Sequence, residues 1–292
     1  MVCAIIAKNR PASRAFWKGV DQPMKKIRSV GFLGFGNMAQ AMAKGFVEQG
    51  ALEGNQIFAC ARRWERLCDN TRTLGAVPCR DGAEVARNAD LLVVAVKPYL
   101  VEEVLAPLGD LLKGKLLLSV AAGWSFQRFE EILPAGVHHL STMPNTPVSV
   151  GEGVILLEQE HSLDPEEYVQ VKELLSSLGM VEDVTPSQMG IGGTISGCGP
   201  GYFFVVMDAL ADAGVMAGLP RALAIKLAAQ TMAGSGVMGL KTGLHPAQLR
   251  DQVTSPGGTT IAGIKALENH GVRGAFYDAV QAVLDRSAAL KK

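Results

Sequence analysis

Two short stretches of the chain carry residue types able to act on small molecules. In 251–268, DQVTSPGGTTIAGIKALE, a proline-glycine turn runs straight into an amphipathic pattern. Ile261, Ile264, Lys265 and Leu267 keep helical spacing, so a helix is expected to begin near Thr259, with Ser255-Pro256-Gly257-Gly258 as its lead-in. A helix start offers unpaired N–H groups and the positive end of the helix dipole, and the two glycines leave this one uncovered. Such a turn is suited to hold a carboxylate or phosphate. Thr259 and Thr260 add hydroxyls that can reach a polar atom of the same ligand; the plainer alternative is that one of them caps a surface helix.

The second stretch is Gly34-Phe35-Gly36-Asn37-Met38-Ala39, a GxGxxA spacing between the apolar run Val30-Gly31-Phe32-Leu33 and a helical pattern over 41–49. Gly34 makes the tight turn, Gly36 lets a pyrophosphate approach the backbone with Asn37 and Met38 beside it, and the small Ala39 permits close packing of helix on strand. A second strand is expected over 56–61. An NAD-selective site places a carboxylate at the end of that strand; Arg62 and Arg63 stand there instead. Two guanidinium groups in that place suit a 2′-phosphate, so the expected cofactor is NADPH, with NADH as a second donor. A solvated arginine pair is the alternative.

Further strand ends must lie beside these glycines if they are to build one site. The run Leu91 to Val96 is apolar on both faces, as a central parallel strand must be, and leads through Val96 into Lys97-Pro98. The run 116–120 ends in Ala121-Ala122-Gly123, small residues against which a nicotinamide can lie, and 138–143 ends in Pro144-Asn145-Thr146-Pro147. Ligands of open parallel sheets sit beyond the carboxyl ends of the strands, so Lys97, Pro98, Ala121, Ala122, Gly123 and Asn145 join the cofactor candidates. His138 and His139 face opposite ways on a strand and are no chelating pair.

The chain divides by texture. Residues 1–26 hold six basic groups against Asp21 and show no sustained periodicity; they read as a disordered extension, with an organelle transit peptide as the alternative. Residues 27–186 alternate strands and helices, with further sheet pieces over 154–157 and 180–181 around a helix over 165–178. From 187 to 292 only helices are expected, over 202–217, 222–239, 247–253, 260–269 and 272–289. The helix over 202–217 is apolar almost all round and needs cover on every side, which implies a partner subunit. The fold class is therefore an α/β Rossmann-type N-terminal domain followed by an all-α C-terminal dimerisation domain.

Composition narrows the partners. The formal net charge of zero over 292 residues supplies no field for nucleic acid or an acidic membrane. Cys3, Cys60, Cys68, Cys79 and Cys198 are an odd number without metal-ligand spacing, which suits unpaired thiols in a reducing compartment, the cytoplasm, and no metal. No apolar run approaches the roughly 18 residues of a membrane span.

Taken in order, GFLGFGNMA, AVKP, MPNTP, SGCGPGYF, GLPRALA and D-x-V-x-S-P-G-G-x-T resemble the pyrroline-5-carboxylate reductase family over residues 27–290. The resemblance implies reduction of the cyclic imine 1-pyrroline-5-carboxylate to proline by NADPH or NADH, in a homodimer that can assemble further into rings. It also implies that Ser255, Gly257, Gly258, Thr259 and Thr260 bind the substrate, with Thr260 at the ring nitrogen as the catalytic candidate. Ser141, Cys198 and Leu244 depart from the family's usual Arg, Ser and acid. The rival readings are a 3-hydroxyacid-dehydrogenase-like NADP oxidoreductase and a non-catalytic nucleotide sensor on the same fold.

Overall fold

The computed structural model describes residues 26–289. The extension expected over 1–26 lies outside them except for the exposed Lys26. Eight strands form one sheet in the order β3-β2-β1-β4-β5-β6-β7-β8. The first five are β1 Val30–Leu33, β2 Ile57–Cys60, β3 Val77–Pro78, β4 Leu91–Val94 and β5 Leu116–Ser119; β6 His138–Pro144, β7 Gly153–Glu158 and β8 Gly179–Val184 complete it. Pairing is parallel from β3 through to β6. Both central strands β1 and β4 are buried at every residue, which explains their unbroken apolar sequences.

Six helices accompany the strands: α1 Asn37–Glu48, α2 Trp64–Arg72, α3 Gly82–Asn88, α4 Val101–Leu105, α5 Phe126–Glu130 and α6 Pro165–Ser176. They divide the core in two. Val30, Phe32, Met42, Phe46, Val93 and Val171 belong to one cluster, while Leu33, Val85, Leu92, Val94, Leu117 and Phe129 belong to the other. Alternation along β1 and β4 sends successive side chains to opposite clusters, and this is what makes a parallel sheet buried on both faces.

The sheet reverses after β6. β7 pairs antiparallel with β6, and β8 runs parallel to β7. Only the short 146–150 turn joins β6 to β7, too few residues for a parallel crossover, whereas α6 supplies the longer return to β8.

Beyond the sheet run α7 Pro186–Ser196, α8 Gly199–Met216, α9 Arg221–Thr242, α10 Pro246–Gln252, α11 Thr259–Asn269 and α12 Val272–Ala289. Helix α7 differs from the expectation, which placed no helix there. Its three glycines, two serines and one threonine weaken helix propensity, but Thr185 and Gln188 form a reciprocal capping box that starts it. It packs on β7 and β6 and also meets α8 and α12. At Gly193 a side chain would meet the Met143 sulfur of β6, so glycine lets α7 sit against that side chain without displacing it.

The helices after α7 are packed inside out. In the α8–α9 hairpin the buried residues are small, Gly199, Ala211, Ala224 and Ala228. The large apolar ones point outward: Met216 is 87% exposed, Leu240 75% and Val205 70%. A contiguous apolar surface of this kind marks an interface rather than a solvated face. Among the described residues no helix is long and apolar enough to cross a membrane.

Candidate active site

The expected cofactor residues converge at one edge of the sheet. Strand order reverses between β1 and β4, which makes their carboxyl ends the crevice where dinucleotides bind in such sheets. Gly34 leaves β1 at φ +93°, and its N–H donates to the Cys60 carbonyl at 3.1 Å. A Cβ there would come within 2.6 Å of Val96 and 2.8 Å of the Ala95 carbonyl, so the turn is closed to any other residue.

Gly36 is the N-cap of α1, and a Cβ on it would meet nothing within 4 Å. The space above it is open. No side chain caps α1 and no acid occupies its first turn, so its amide groups remain available to an anion. Asn37 and Met38 are the first residues of this helix, which begins four residues before the expected 41. Ala39 is buried against the sheet. This open, uncapped glycine cradle fits the pyrophosphate of a dinucleotide.

Arg62 and Arg63 follow β2 directly and are exposed. Arg62 lies 3.8 Å from Glu103 in a pair that is about 70% exposed on both sides, an arrangement that holds a guanidinium only weakly. Arg63 is the N-cap of α2 and supplies no side-chain cap. The Cys60 thiol beneath them is pushed up by burial, and that of Cys79 to about 11 for the same reason, so neither is poised as a nucleophile.

On the other side of the crevice, Val96 and Pro98 are half-buried and Lys97 is exposed at the end of β4. The 121–123 loop after β5 is fixed from two directions that sequence reasoning did not anticipate. Trp124 donates its indole N–H to the Pro98 carbonyl at 2.9 Å, tying the two loops together. The backbone N–H of Phe126, the first residue of α5, donates to Glu158 at 2.9 Å. Ala121 is buried, whereas Ala122 and Gly123 are exposed.

Glu158 is only 3% exposed and has no ion-pair partner among the described residues. Burial raises its carboxyl above the usual range, opposed by the Phe126 N–H. A raised carboxyl binds its proton more tightly in the folded than in the unfolded state, so it subtracts stability as pH rises through that window. Glu158→Gln keeps an acceptor for Phe126 and removes the buried charge; its melting temperature at pH 7.5 is expected to equal or exceed that of the parent. Glu158→Ala removes the acceptor and is expected to cost about 1–3 kcal/mol. Calorimetric melting of both variants checks the pair.

Asn145 is buried, and its side chain is committed within the fold. Its Nδ2 donates to the Ser196 carbonyl of α7 at 2.9 Å, and its Oδ1 accepts from the Val154 N–H at 2.8 Å. It therefore fastens the end of β6 to β7 and α7.

His138 and His139 diverge as expected, His138 to Glu167 and His139 to Glu130, each at 2.6 Å. His138 with Asp164 and Glu167 makes a group able to hold a metal ion among the described residues, but both carboxylates already cap α6.

The SPGG turn leads into a helix at the expected residue. Helix α11 starts at Thr259 with Gly258 as N-cap and no side-chain cap or first-turn acid. Gly257 sits at φ +70° with open space where a Cβ would project, and at Gly258 a Cβ would collide with the Ser255 hydroxyl. Ser255, Gly257, Thr259 and Thr260 are exposed. Among the described residues neither threonine hydroxyl has a hydrogen-bond partner. Helix α11 packs on α12 and has no buried residue, so a single chain does not enclose this turn.

Comparison with known proteins agrees with both halves. Residues 186–290 match the family model described as pyrroline-5-carboxylate reductase dimerisation, and residues 29–123 match one described as NADP oxidoreductase coenzyme F420-dependent. The chain is 40% identical over 263 residues to a pyrroline-5-carboxylate reductase of Treponema pallidum, covering 89% of this chain and 100% of the relative. A soybean (Glycine max) enzyme of the same description is 39% identical over 268 residues, covering 90% and 96%. Among solved structures, a Plasmodium falciparum pyrroline carboxylate reductase with NADP bound superposes with a TM-score of 0.81 at 31% identity, covering 92% of this chain and all of the other. The corresponding Coxiella burnetii structure gives 0.78 at 33% identity, covering 91% and 99%.

Proposed function

This chain belongs to the pyrroline-5-carboxylate reductase family, and from that premise we propose that it reduces 1-pyrroline-5-carboxylate to L-proline with NADPH, the last step of proline biosynthesis. The observation that carries the reading is the uncapped helix start at SPGGTT, retained in the same chain as the open glycine cradle of α1. A nucleotide sensor would not need the first, and a 3-hydroxyacid dehydrogenase would need a different second site.

When bound, NADPH would supply hydride to the imine carbon. The protein's residues position and polarise. The N–H groups at the start of α11 hold the substrate carboxylate, with Ser255, Gly257 and Gly258 shaping the turn. Thr260 donates a hydrogen bond toward the ring nitrogen, directly or through a water that delivers the proton, since a threonine hydroxyl is too weak an acid to do so alone. Positioning and polarisation carry most of the rate, and no metal enters.

The α1 amides would hold the pyrophosphate, Arg62 and Arg63 the 2′-phosphate, and Val96, Lys97, Pro98, Ala121, Ala122 and Gly123 would flank the nicotinamide half. Asn145 acts by fixing the strand ends below it. Residues 27–186 form the cofactor domain and 187–292 the helical domain. The chain is a homo-oligomer, built as a dimer through the helical domain and assembled further into rings, and its unpaired cysteines suit the cytoplasm.

Oxidation of NADPH and of NADH, each followed by the loss of reduced-nicotinamide absorbance with pyrroline-5-carboxylate, tests the activity. Absence of turnover with either dinucleotide refutes it. Arg62→Ala and Arg63→Ala are expected to raise KM for NADPH by about tenfold, and far more than for NADH. Equal effects on both cofactors would remove these arginines from the 2′-phosphate site.

A further inference from the structure

A third guanidinium stands beside the arginine pair. Strands β2 and β3 run parallel with Phe58 opposite Val77 and Ala59 opposite Pro78, and the Cys79 N–H continues the pairing by donating to the Ala59 carbonyl at 2.8 Å. Arg80 therefore leaves β3 at the same edge, and at nearly the same level, as Arg62 leaves β2. Its guanidinium carbon lies 3.7 Å from the centroid of the Trp64 ring. Trp64 opens α2, and Arg63 is the N-cap immediately before it. Stacking on the indole thus holds Arg80 at the same helix start as Arg63.

The acids near Arg80 are committed elsewhere. Asp81 accepts from the Glu84 N–H at 2.8 Å as the cap of α3, and Glu84 accepts from the backbone N–H of Arg80 at 2.6 Å. The Arg80 side chain has no ion pair among the described residues, and the only one at Arg62 or Arg63 is the long, exposed contact with Glu103. Three guanidiniums leave the same edge of the sheet, and a doubly charged phosphate bound there would use their planar donor edges.

We propose that Arg80, held face-on to Trp64, completes the 2′-phosphate subsite with Arg62 and Arg63 and determines the preference for the phosphorylated dinucleotide. This rests on the assignment of NADPH as cofactor. Sequence inspection passes over Arg80 because it lies after a two-residue strand, far along the chain from the fingerprint.

The test measures binding by titration calorimetry with adenosine 2′,5′-bisphosphate and with 5′-AMP, and reads the ratio of the two affinities, which does not depend on the fraction of folded protein. Arg80→Gln is expected to lower that ratio by about tenfold, the worth of one charge-assisted contact. Arg80→Lys should recover part of it, and Trp64→Leu, which removes the stack but no charge, should lower it less than Arg80→Gln. An unchanged ratio in Arg80→Gln, with a lowered one in Arg62→Ala or Arg63→Ala, overturns the role of Arg80 and leaves the NADPH assignment standing. A parent protein that binds both probes equally overturns the NADPH assignment and this inference with it.

Discussion

Replacing Thr260 with Val is expected to lower kcat by about one to three orders of magnitude while leaving the affinity for NADPH little changed. The substitution keeps size and β-branching, and Thr260 is exposed on the first turn of α11, so no packing is lost. Its hydroxyl makes no hydrogen bond within the described residues, so its loss as a donor is felt only when substrate is present. The carboxylate still binds to the backbone N–H groups, but the imine nitrogen loses its polariser. Thr259→Val retains the same backbone and should cost much less. A side chain at Gly257 or Gly258 should instead raise KM for the imine, by filling the open space at the first or striking Ser255 at the second. Steady-state kinetics on the four variants separate these effects. Near-normal kcat in Thr260→Val would rule out its polarising role.

The second large effect concerns assembly. Leu210→Glu is expected to give misfolded or aggregated protein, or a chain unable to pair, because in the oligomer it buries a lone charge. In the single chain Leu210 is 52% exposed on α8, so the substitution is harmless there. Val206→Glu, on the same helix and already half-buried, should behave alike. Light scattering at micromolar concentration decides: a stable, active monomer would show that the bare apolar faces of α8 and α9 have no partner.

The parts of the molecule legible in the sequence are those with strong local signals. Strands β1 and β4 were marked by apolar runs, and the first glycine loop by its fingerprint, because a tight turn and a buried parallel strand each demand particular residues. The start of α11 was marked by glycines preceding a helical repeat. The reversal of the sheet at β7 is not legible in the sequence, since direction depends on the length of the connection rather than on the strand's composition. Helix α7 was missed because its glycines serve contact with Met143 and mask the capping box at Thr185 and Gln188. Trp124, Glu158 and Arg80 escaped for a shared reason: each works on a residue at least 16 positions away in the chain, Trp124 on Pro98, Glu158 on Phe126 and Arg80 on Trp64.

The clasp between Asn145 and the Ser196 carbonyl, together with the glycine seat of α7 on Met143, limits how this protein can be recombined. A chimera that joins the nucleotide half of one reductase to the helices of another at Pro186 would part α7 from the strand it is cut to fit. A crossover placed between α7 and α8 keeps residues 143–196 together and so preserves both contacts.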